Sequence, residues 1–323
     1  MAKIFCTKTI PKESWTKLKE QGHEINIWDD KIHGPISYEE LLKQVSDCQA
    51  LACMLGDRID RNLIEHAPQL KVISQYAVGH NNIDTKYANE RGIIVTNTPD
   101  VLTHATAELA FALLLSCARK IIPAAKNVEE DQWLGWEPLG FLGKSLKDST
   151  VAIIGAGRIG QEFAKMCHGA FDSKIVYVSR STKEGFEKSF NAQRMELKEA
   201  LSRADIISLH CPLTEQTREL LNNETLSYCK DDAIIINTAR GEVINQEHLI
   251  ENLKVGKFHS IGLDVTTPEP LPENHPLRQF DNVLIVPHIG SATEIARKEM
   301  GRLVCQNIEN VLSKISPITP VTN

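Results

Sequence analysis

Residues 151–166, VAIIGAGRIGQEFAKM, place three glycines between a short apolar run and a helix-like stretch. Gly155, Gly157 and Gly160 form a G-x-G-x-x-G pattern directly after the predicted strand. In such a turn the first glycine permits the sharp bend, the second lets the backbone approach a pyrophosphate, and the third lets the helix pack close. The phosphates then lie at the positive end of the helix. The stretch therefore predicts a dinucleotide-binding Rossmann domain.

Outward from this turn, short apolar runs alternate with helix-like stretches over the whole chain of 323 residues. This alternation is typical of parallel βα units, so the predicted class is α/β, with two doubly wound parallel sheets. We expect a discontinuous first domain from residues 1–99 and 291–323, and a dinucleotide-binding domain from residues 100–290. The predicted strands are KIFCT, EINIW, ALACML, KVISQ and IIVTN in the first sheet, and VAIIG, KIVYVS, DIISLH, AIIINT, SIGLDV and NVLIVP in the second.

Two long helices complete this prediction. THATAELAFALLLSCARK is expected to connect the two domains, with Thr103 or Thr106 as its N-cap. The last helix, residues 292–313, is expected to fold back onto the first domain. The apolar run from Ala107 contains Glu108 and is shorter than the roughly 20 residues that span a bilayer, so we interpret it as a buried helix.

Composition narrows the class of partner. The chain is 42% hydrophobic and 24% charged, and its net charge of −6 is spread without acidic or basic blocks. Such a surface favours neither nucleic acid nor an anionic membrane. Eight scattered cysteines without a C-x-x-C pair indicate reduced thiols and no metal site. We therefore expect a cytoplasmic protein that binds small molecules.

The end of the next strand after the glycine turn bears on the choice of dinucleotide. Enzymes that use NAD usually place an Asp or Glu there, to bind the ribose hydroxyls. This chain has Ser179, Arg180 and Ser181 instead. A guanidinium with flanking hydroxyls suits a 2′-phosphate, because it combines positive charge with several hydrogen-bond donors. The sequence predicts NADP(H) as the cofactor, with NAD still possible.

Polar residues follow several predicted strands, at the sheet edge where ligands bind in open parallel sheets. Arg240, Glu269 and His288 come to this edge from three different strands. A histidine readily donates a proton near neutral pH, and a hydrogen-bonded carboxylate favours its charged form. An arginine polarises a carbonyl and holds a neighbouring carboxylate. The constellation predicts reduction of a 2-oxo acid by hydride transfer, with His288 as the general acid. The same edge also contains Cys211, Pro212 and Ala239.

Further segments stand in a recognisable order: YAVGHNNID, VTNTPDVLT, INTARGEV, GLDVTTPEPLPENHPL and LIVPHIGSAT. With the glycine turn, they resemble the D-isomer-specific 2-hydroxyacid dehydrogenase family, and within it the glyoxylate/hydroxypyruvate reductases. The resemblance implies the same three catalytic residues and a flavodoxin-like substrate domain. It implies substrate contacts at Leu55, at the N–H groups of Val78 and Gly79, and at Ser291. It implies cofactor contacts at Thr106, Arg158, Ile159, Pro212, Thr238, Asp264 and Gly290.

The resemblance also implies partners and substrates. Members of the family are homodimers, and in the glyoxylate/hydroxypyruvate reductases a tryptophan reaches the active site of the partner. Trp136 is the candidate here, with Trp133 as the alternate. The implied products are glycolate and D-glycerate. Two alternatives stay open: a reductase of another 2-oxo acid, such as 2-ketogluconate or phosphohydroxypyruvate, and a catalytically weak dinucleotide sensor of the corepressor type.

Overall fold

The computed structural model describes residues 1–321, which form two compact units. Unit 1 comprises Met1–Leu102 together with the chain from Ser291 onward, and unit 2 comprises Thr103–Gly290. The last two residues of the predicted first domain, Thr322 and Asn323, lie outside the described residues. Each unit is built around its own parallel sheet, as the α/β prediction requires.

Unit 1 contains a five-stranded parallel sheet in the order β2-β1-β3-β4-β5, the order of flavodoxin-like folds. Most of these short strands are apolar because helices cover both faces of a parallel sheet. Asp60 and Asp84 cap two of the helices by accepting a backbone N–H. The strands are β1 Lys3–Cys6, β2 Glu24–Ile27, β3 Ala50–Cys53, β4 Val72–Gln75 and β5 Ile94–Thr96. The helices are α1 Thr16–Glu20, α2 Asp30–His33, α3 Tyr38–Val45, α4 Arg61–His66 and α5 Thr85–Glu90, with a 3-10 turn at Lys12–Trp15.

Unit 2 contains a seven-stranded parallel sheet in the order β12-β11-β10-β9-β6-β7-β8. The chain runs outward from β6 in both directions, which is the Rossmann arrangement. The strands are β6 Thr150–Ile154, β7 Lys174–Val178, β8 Gln193–Arg194, β9 Ile206–Leu209, β10 Ile234–Asn237, β11 Ser260–Leu263 and β12 Val283–Ile285. The helices are α6 Thr103–Ala118, α7 Ile121–Glu129, α8 Arg158–Phe171, α9 Glu184–Phe190, α10 Leu197–Arg203, α11 Asn223–Ser227 and α12 Gln246–Lys254, with 3-10 turns at Gly241–Val243 and Pro276–Gln279.

Both faces of the unit 2 sheet are buried. On one face α6 and α8 pack together, and Leu113 and Phe163 lie in the same apolar cluster as Ile153. On the other face Leu201 and Leu249 cluster with Ile235. Each fully buried side chain of this size contributes about 1.5–3 kcal/mol. The two layers hold the strands firmly, so residues at the strand ends are fixed relative to one another.

The predicted N-cap of α6 is wrong. Thr103 is already the first helical residue and Thr106 lies inside the first turn, buried. Most of the stability of a protein helix comes from its packed face, and α6 packs on β10, β11 and α8.

The final helix, α13, spans Glu294–Leu312 and packs on β4 of unit 1. Thr293 caps it by accepting the N–H of Ala296 at 3.2 Å. Within residues 1–321, no helix combines the length and the apolar character that crossing a membrane requires.

Candidate active site

The three glycines of the turn after β6 meet different spatial demands. Gly155 has φ +98°, and a Cβ there would lie 2.5 Å from the backbone nitrogen of Cys211. A Cβ on Gly160 would collide with the carbonyl oxygen of Gly155, so the helix packs against the turn only without a side chain. At Gly157, by contrast, no described atom beyond the glycine and its two chain neighbours lies within 4 Å of the position a Cβ would take. The turn is therefore tight at its first and third glycines and open at its second.

The open position lies at the N-terminus of α8. Gly157, which has no side chain to cap the helix, is the N-cap residue. Arg158 and Ile159 are the first helical residues. N–H groups of a first helical turn point out of the helix end, where the helix dipole favours an anion. Free space above Gly157 and donors beneath it fit the pyrophosphate of a dinucleotide.

The end of β7 has no carboxylate in the segment that would meet the adenosine ribose. Ser179, Arg180 and Ser181 follow the strand, and Arg180 is exposed. The carbonyl oxygens of Ser179 and Arg180 accept hydrogen bonds from the guanidinium of Arg194, at 2.9 and 3.3 Å. Arg194 thus brings a second positive charge to this loop. Sequence reasoning missed it, because the two residues of β8 are too few to show a strand pattern.

The end of β9 lies directly under the glycine turn. Nε2 of His210 lies 2.8 Å from the hydroxyl of Ser208, and Nδ1 has no hydrogen-bond partner among the residues described. Burial lowers the pKa of His210 to about 3, so the ring is neutral. Burial raises the pKa of the adjoining Cys211 to about 11, which makes it an unreactive thiol. Pro212 follows and is exposed. His210 therefore fills the space beneath the turn as an uncharged ring. The sequence did not indicate this role, because His210 belongs to none of the motifs in the sequence analysis.

The segment after β10 carries Thr238, Ala239 and Arg240. Asn237 shapes it: its Oδ1 accepts the N–H of Ala239 at 3.0 Å, and its Nδ2 donates to the carbonyl oxygen of Arg240 at 2.8 Å. The buried hydroxyl of Thr238 has no hydrogen-bond partner within residues 1–321. A buried hydroxyl is normally hydrogen-bonded, so this one fits a site completed by a polar ligand.

The guanidinium of Arg240 is held close to its own backbone. Its Nη1 donates to the carbonyl oxygen of Ala239 at 2.6 Å. Burial lowers the pKa of Arg240 from its ordinary value, although the negative charges of Glu269 and Glu242 act to raise it. An arginine stays protonated in proteins even so. The site therefore contains a partly buried positive charge whose field acts on Glu269.

The loop after β12 is organised by Asp264, which follows β11. Oδ1 and Oδ2 of Asp264 accept the N–H groups of Ile289 and Gly290, at 2.6 and 2.8 Å. The carbonyl oxygen of Asp264 accepts the N–H of His288 at 2.9 Å. Burial raises the pKa of the Asp264 carboxyl, although these two N–H groups and the charge of His288 favour its ionised form. Three bonds to one residue thus fix the backbone from His288 to Gly290.

That backbone places His288 in an uncommon conformation, with φ +54°. Its Nδ1 lies 2.8 Å from Oε2 of Glu269. Oε1 of Glu269 accepts the N–H of Thr266 at 3.1 Å. Burial alone would raise the pKa of Glu269, but the bond and charge of His288, the Thr266 N–H and the charge of Arg240 together hold it below its ordinary value. An ionised carboxylate therefore faces one ring nitrogen and leaves the other, Nε2, without a hydrogen-bond partner in the described part of the chain.

Thr106 and Gly290 lie near the same loop. A Cβ on Gly290 would lie 3.0 Å from Oδ2 of Asp264 and 3.3 Å from Cγ2 of Thr106. Only glycine leaves this approach unhindered. All of the residues predicted for the catalytic and cofactor sites thus lie within unit 2.

The remaining predicted site residues belong to unit 1 or to an exposed segment. Leu55, Val78, Gly79 and Ser291 lie in unit 1 and are partly exposed. The N–H groups of Val78 and Gly79 have no acceptor within residues 1–321. Two N–H groups on consecutive residues can bind an anion together. In unit 2, Trp133 and Trp136 project into solvent, with 66% and 85% of their surfaces exposed.

The fold and the unit 2 site define an α/β oxidoreductase that uses a nicotinamide dinucleotide. Residues 111–290 match the model of the D-isomer specific 2-hydroxyacid dehydrogenase NAD binding domain. The chain is 45% identical over 310 residues to a glyoxylate reductase of Thermococcus litoralis, covering 95% of this chain and 92% of that protein. It therefore belongs to the D-isomer specific 2-hydroxyacid dehydrogenase family, which confirms the resemblance.

Solved structures agree with this assignment. A protein from Thermus thermophilus is 40% identical and superposes with a TM-score of 0.92, covering 99% of this chain and 100% of that one. An NADPH-dependent glyoxylate/hydroxypyruvate reductase from Sinorhizobium meliloti, solved with NADP and malonate, is 29% identical with a TM-score of 0.87. That match covers 99% of this chain and 97% of the other. The two-sheet α/β prediction is thereby confirmed.

Proposed function

We propose that this chain reduces glyoxylate and hydroxypyruvate to glycolate and D-glycerate, with NADPH preferred over NADH. The observation that carries the proposal is the 2.8 Å pairing of Glu269 with His288, in the field of the partly buried Arg240. The name of the Thermococcus litoralis relative and the substrates of the Sinorhizobium meliloti enzyme support the choice of 2-oxo acid.

When bound, the nicotinamide supplies a hydride to the carbonyl carbon of the 2-oxo acid. His288 donates its Nε2 proton to the carbonyl oxygen, so that the alkoxide formed by hydride addition is neutralised as it develops. Glu269 stabilises the protonated imidazole and fixes its orientation through Nδ1. Arg240 polarises the carbonyl with its guanidinium. One hydride and one proton convert the ketone or aldehyde to an alcohol, and both electrons come from the cofactor.

The N–H groups of Val78 and Gly79 bind the substrate carboxylate, because both are without an acceptor within the described chain. Leu55 supplies an apolar contact and Ser291 a polar one. In this assignment unit 1, residues 1–99 and 291–323 in the sequence prediction, is the substrate-binding domain. Unit 2, predicted as residues 100–290, is the dinucleotide-binding domain.

The cofactor contacts in this proposal lie at the strand ends of unit 2. Gly155, Gly157, Arg158, Ile159 and Gly160 form the pyrophosphate site. The loop from Ser179 to Ser181 takes the 2′-phosphate, because it offers a guanidinium and hydroxyls and lacks a carboxylate. The adenosine lies at Cys211 and Pro212, and the nicotinamide side is bordered by Thr106, Thr238, Ala239, Arg240, Asp264, His288 and Gly290.

The active form in this proposal is a cytoplasmic homodimer. The segment around Trp133, Leu134, Trp136 and Leu139 exposes four large apolar side chains. Exposed apolar groups on this scale commonly mark an interface. Trp136, or alternatively Trp133, reaches the substrate of the partner subunit.

Steady-state rates of NADPH and NADH oxidation test the proposal, with glyoxylate, hydroxypyruvate, 2-ketogluconate and phosphohydroxypyruvate compared in parallel. The highest kcat/KM is expected for glyoxylate or hydroxypyruvate with NADPH. A clear preference for either of the other two acids would replace the substrate assignment. Absence of NADPH consumption with every 2-oxo acid, together with tight NADPH binding, would favour a dinucleotide sensor.

A further inference from the structure

The loop that follows β4 is held from behind by side-chain amides. The carbonyl oxygen of Val78 accepts a hydrogen bond from Nδ2 of Asn97 at 2.8 Å, and that of Gly79 accepts one from Nε2 of Gln75 at 3.2 Å. The carbonyl oxygen of Ala77 accepts the N–H of Thr98 at 2.9 Å. Three consecutive carbonyl groups of the loop are thus bound by the body of unit 1.

Peptide planarity turns these bonds into constraints on N–H direction. A trans peptide group is rigid, so its N–H points opposite to its carbonyl. Thr98 therefore sets the direction of the Val78 N–H, and Asn97 sets that of the Gly79 N–H. Glycine is the residue with the greatest backbone freedom, and Gly79 is held on both sides, by Asn97 before it and by Gln75 after it.

The amide of Gln75 is itself oriented by its neighbours. Gln75 is fully buried, and its Nε2 also donates to Oδ1 of Asn82 at 2.8 Å. Asn82 Nδ2 donates to the carbonyl oxygens of Met54 and Asp57 at 3.0 and 2.8 Å, so only its oxygen remains to face Gln75.

The other end of the Gln75 amide is also occupied. Its Oε1 accepts a hydrogen bond from Sγ of Cys53 at 3.0 Å. Burial raises the pKa of the Cys53 thiol well above its ordinary value, so the thiol keeps the proton that it donates. Every polar atom of the Gln75 side chain therefore has a partner, and the amide has one orientation that satisfies them all.

We propose that Gln75 is a positioning residue for carboxylate recognition, held by Asn82 and Cys53, and that it fixes Gly79 so that the loop presents its N–H groups ready to bind the substrate carboxylate. This inference rests on the proposed reduction of a 2-oxo acid, and it adds residues that the sequence analysis did not assign. Gln75 touches neither substrate nor cofactor in this role. It lowers the ordering cost of binding, which a free glycine loop would incur on each binding event.

The test compares Gln75→Glu, Gln75→Met and the exposed control Gln69→Glu. Glutamate has the shape of glutamine but, when ionised, donates no hydrogen bond to Gly79 or Asn82, and methionine has a similar length without polar atoms. We expect KM for glyoxylate to rise about tenfold or more in both Gln75 variants, corresponding to one lost hydrogen bond plus restored loop freedom. The dissociation constant of NADPH and kcat at saturating glyoxylate should change less than threefold, and Gln69→Glu should match the unaltered chain.

Calorimetric binding of oxamate to the NADPH-bound protein gives a second readout that requires no turnover. Oxamate carries the carboxylate of a 2-oxo acid and is not reduced, so its affinity should fall with the same factor as KM rises. Equal losses in kcat and NADPH affinity, or unchanged KM and oxamate affinity in a folded Gln75 variant, would overturn the inference. If the unaltered chain reduces no 2-oxo acid, the proposed function fails instead, and oxamate binding still reports whether the loop recognises a carboxylate.

Discussion

Oε2 of Glu269 lies 2.8 Å from Nδ1 of His288, while the backbone N–H of His288 is bound by the carbonyl oxygen of Asp264 at 2.9 Å. The imidazole is thus held through both its side chain and its main chain. The left-handed conformation at His288 is costly for most residues other than glycine, and such strain persists only where surrounding bonds enforce it. This arrangement directs Nε2 as the one ring nitrogen available for proton transfer.

Replacing His288 by asparagine should therefore abolish proton donation and keep the backbone. Asparagine tolerates left-handed φ better than alanine does, so the loop is expected to retain its shape. We expect kcat for glyoxylate to fall roughly a thousandfold, within the range that general acid catalysis contributes, while the NADPH dissociation constant stays within threefold. Stopped-flow rates and fluorescence titration measure the two. The exposed His66→Asn is the matched control, and loss of NADPH binding in His288→Asn would show a structural role instead.

The Glu269 carboxylate gives a pH-dependent contribution to stability whose sign follows from its depressed pKa. A carboxyl whose folded pKa lies below its unfolded value stabilises the fold above the unfolded pKa, and loses that effect as pH falls through the folded one. The unfolded value for glutamate is about 4.3. We expect Glu269→Gln to be less stable than the unaltered chain from pH 5 to 8.

Urea unfolding at several pH values measures this difference. It should shrink as pH falls below about 4, because both chains then carry a neutral side chain at residue 269. A difference that grows on acidification would contradict the pairing with His288. Glu273→Gln, on a neighbouring exposed position, serves as the control for removal of one carboxylate.

Cofactor preference should depend on two arginines in different ways. Arg180→Ala removes the exposed guanidinium proposed for the 2′-phosphate, so KM for NADPH should rise about tenfold or more while KM for NADH changes little. Arg194→Ala releases the carbonyl oxygens of Ser179 and Arg180, and should weaken both cofactors because the whole loop loses its support. Kinetics with each cofactor separate the cases, and equal effects of Arg180→Ala on both cofactors would remove the NADP assignment.

The sequence was sufficient to predict both parallel sheets, because apolar runs and glycine spacing record backbone geometry directly. It did not reveal Arg194, whose strand of two residues has no measurable period. Nor did it reveal Gln75 or His210, because both end ordinary apolar strands and their significance lies in contacts to distant residues, Gln75 with Cys53 and His210 with Gly155. Long-range hydrogen bonds leave no periodic trace, whereas secondary structure does.

The pair Gly157 and Gly160 separates cofactor binding from folding within one turn. Gly157 has φ −80°, which any residue adopts, and no described atom beyond Gly157 and its two chain neighbours lies within 4 Å of a Cβ placed there. Gly157→Ala should therefore fold with an unchanged Tm, yet its methyl group would enter the space proposed for the pyrophosphate. We expect the NADPH dissociation constant to rise about tenfold or more, measured by fluorescence titration. Gly160→Ala places its methyl group against the carbonyl oxygen of Gly155, so it should destabilise the fold by about 1–3 kcal/mol in urea. Unaltered NADPH affinity in Gly157→Ala would mean that the dinucleotide does not cross the N-terminus of α8.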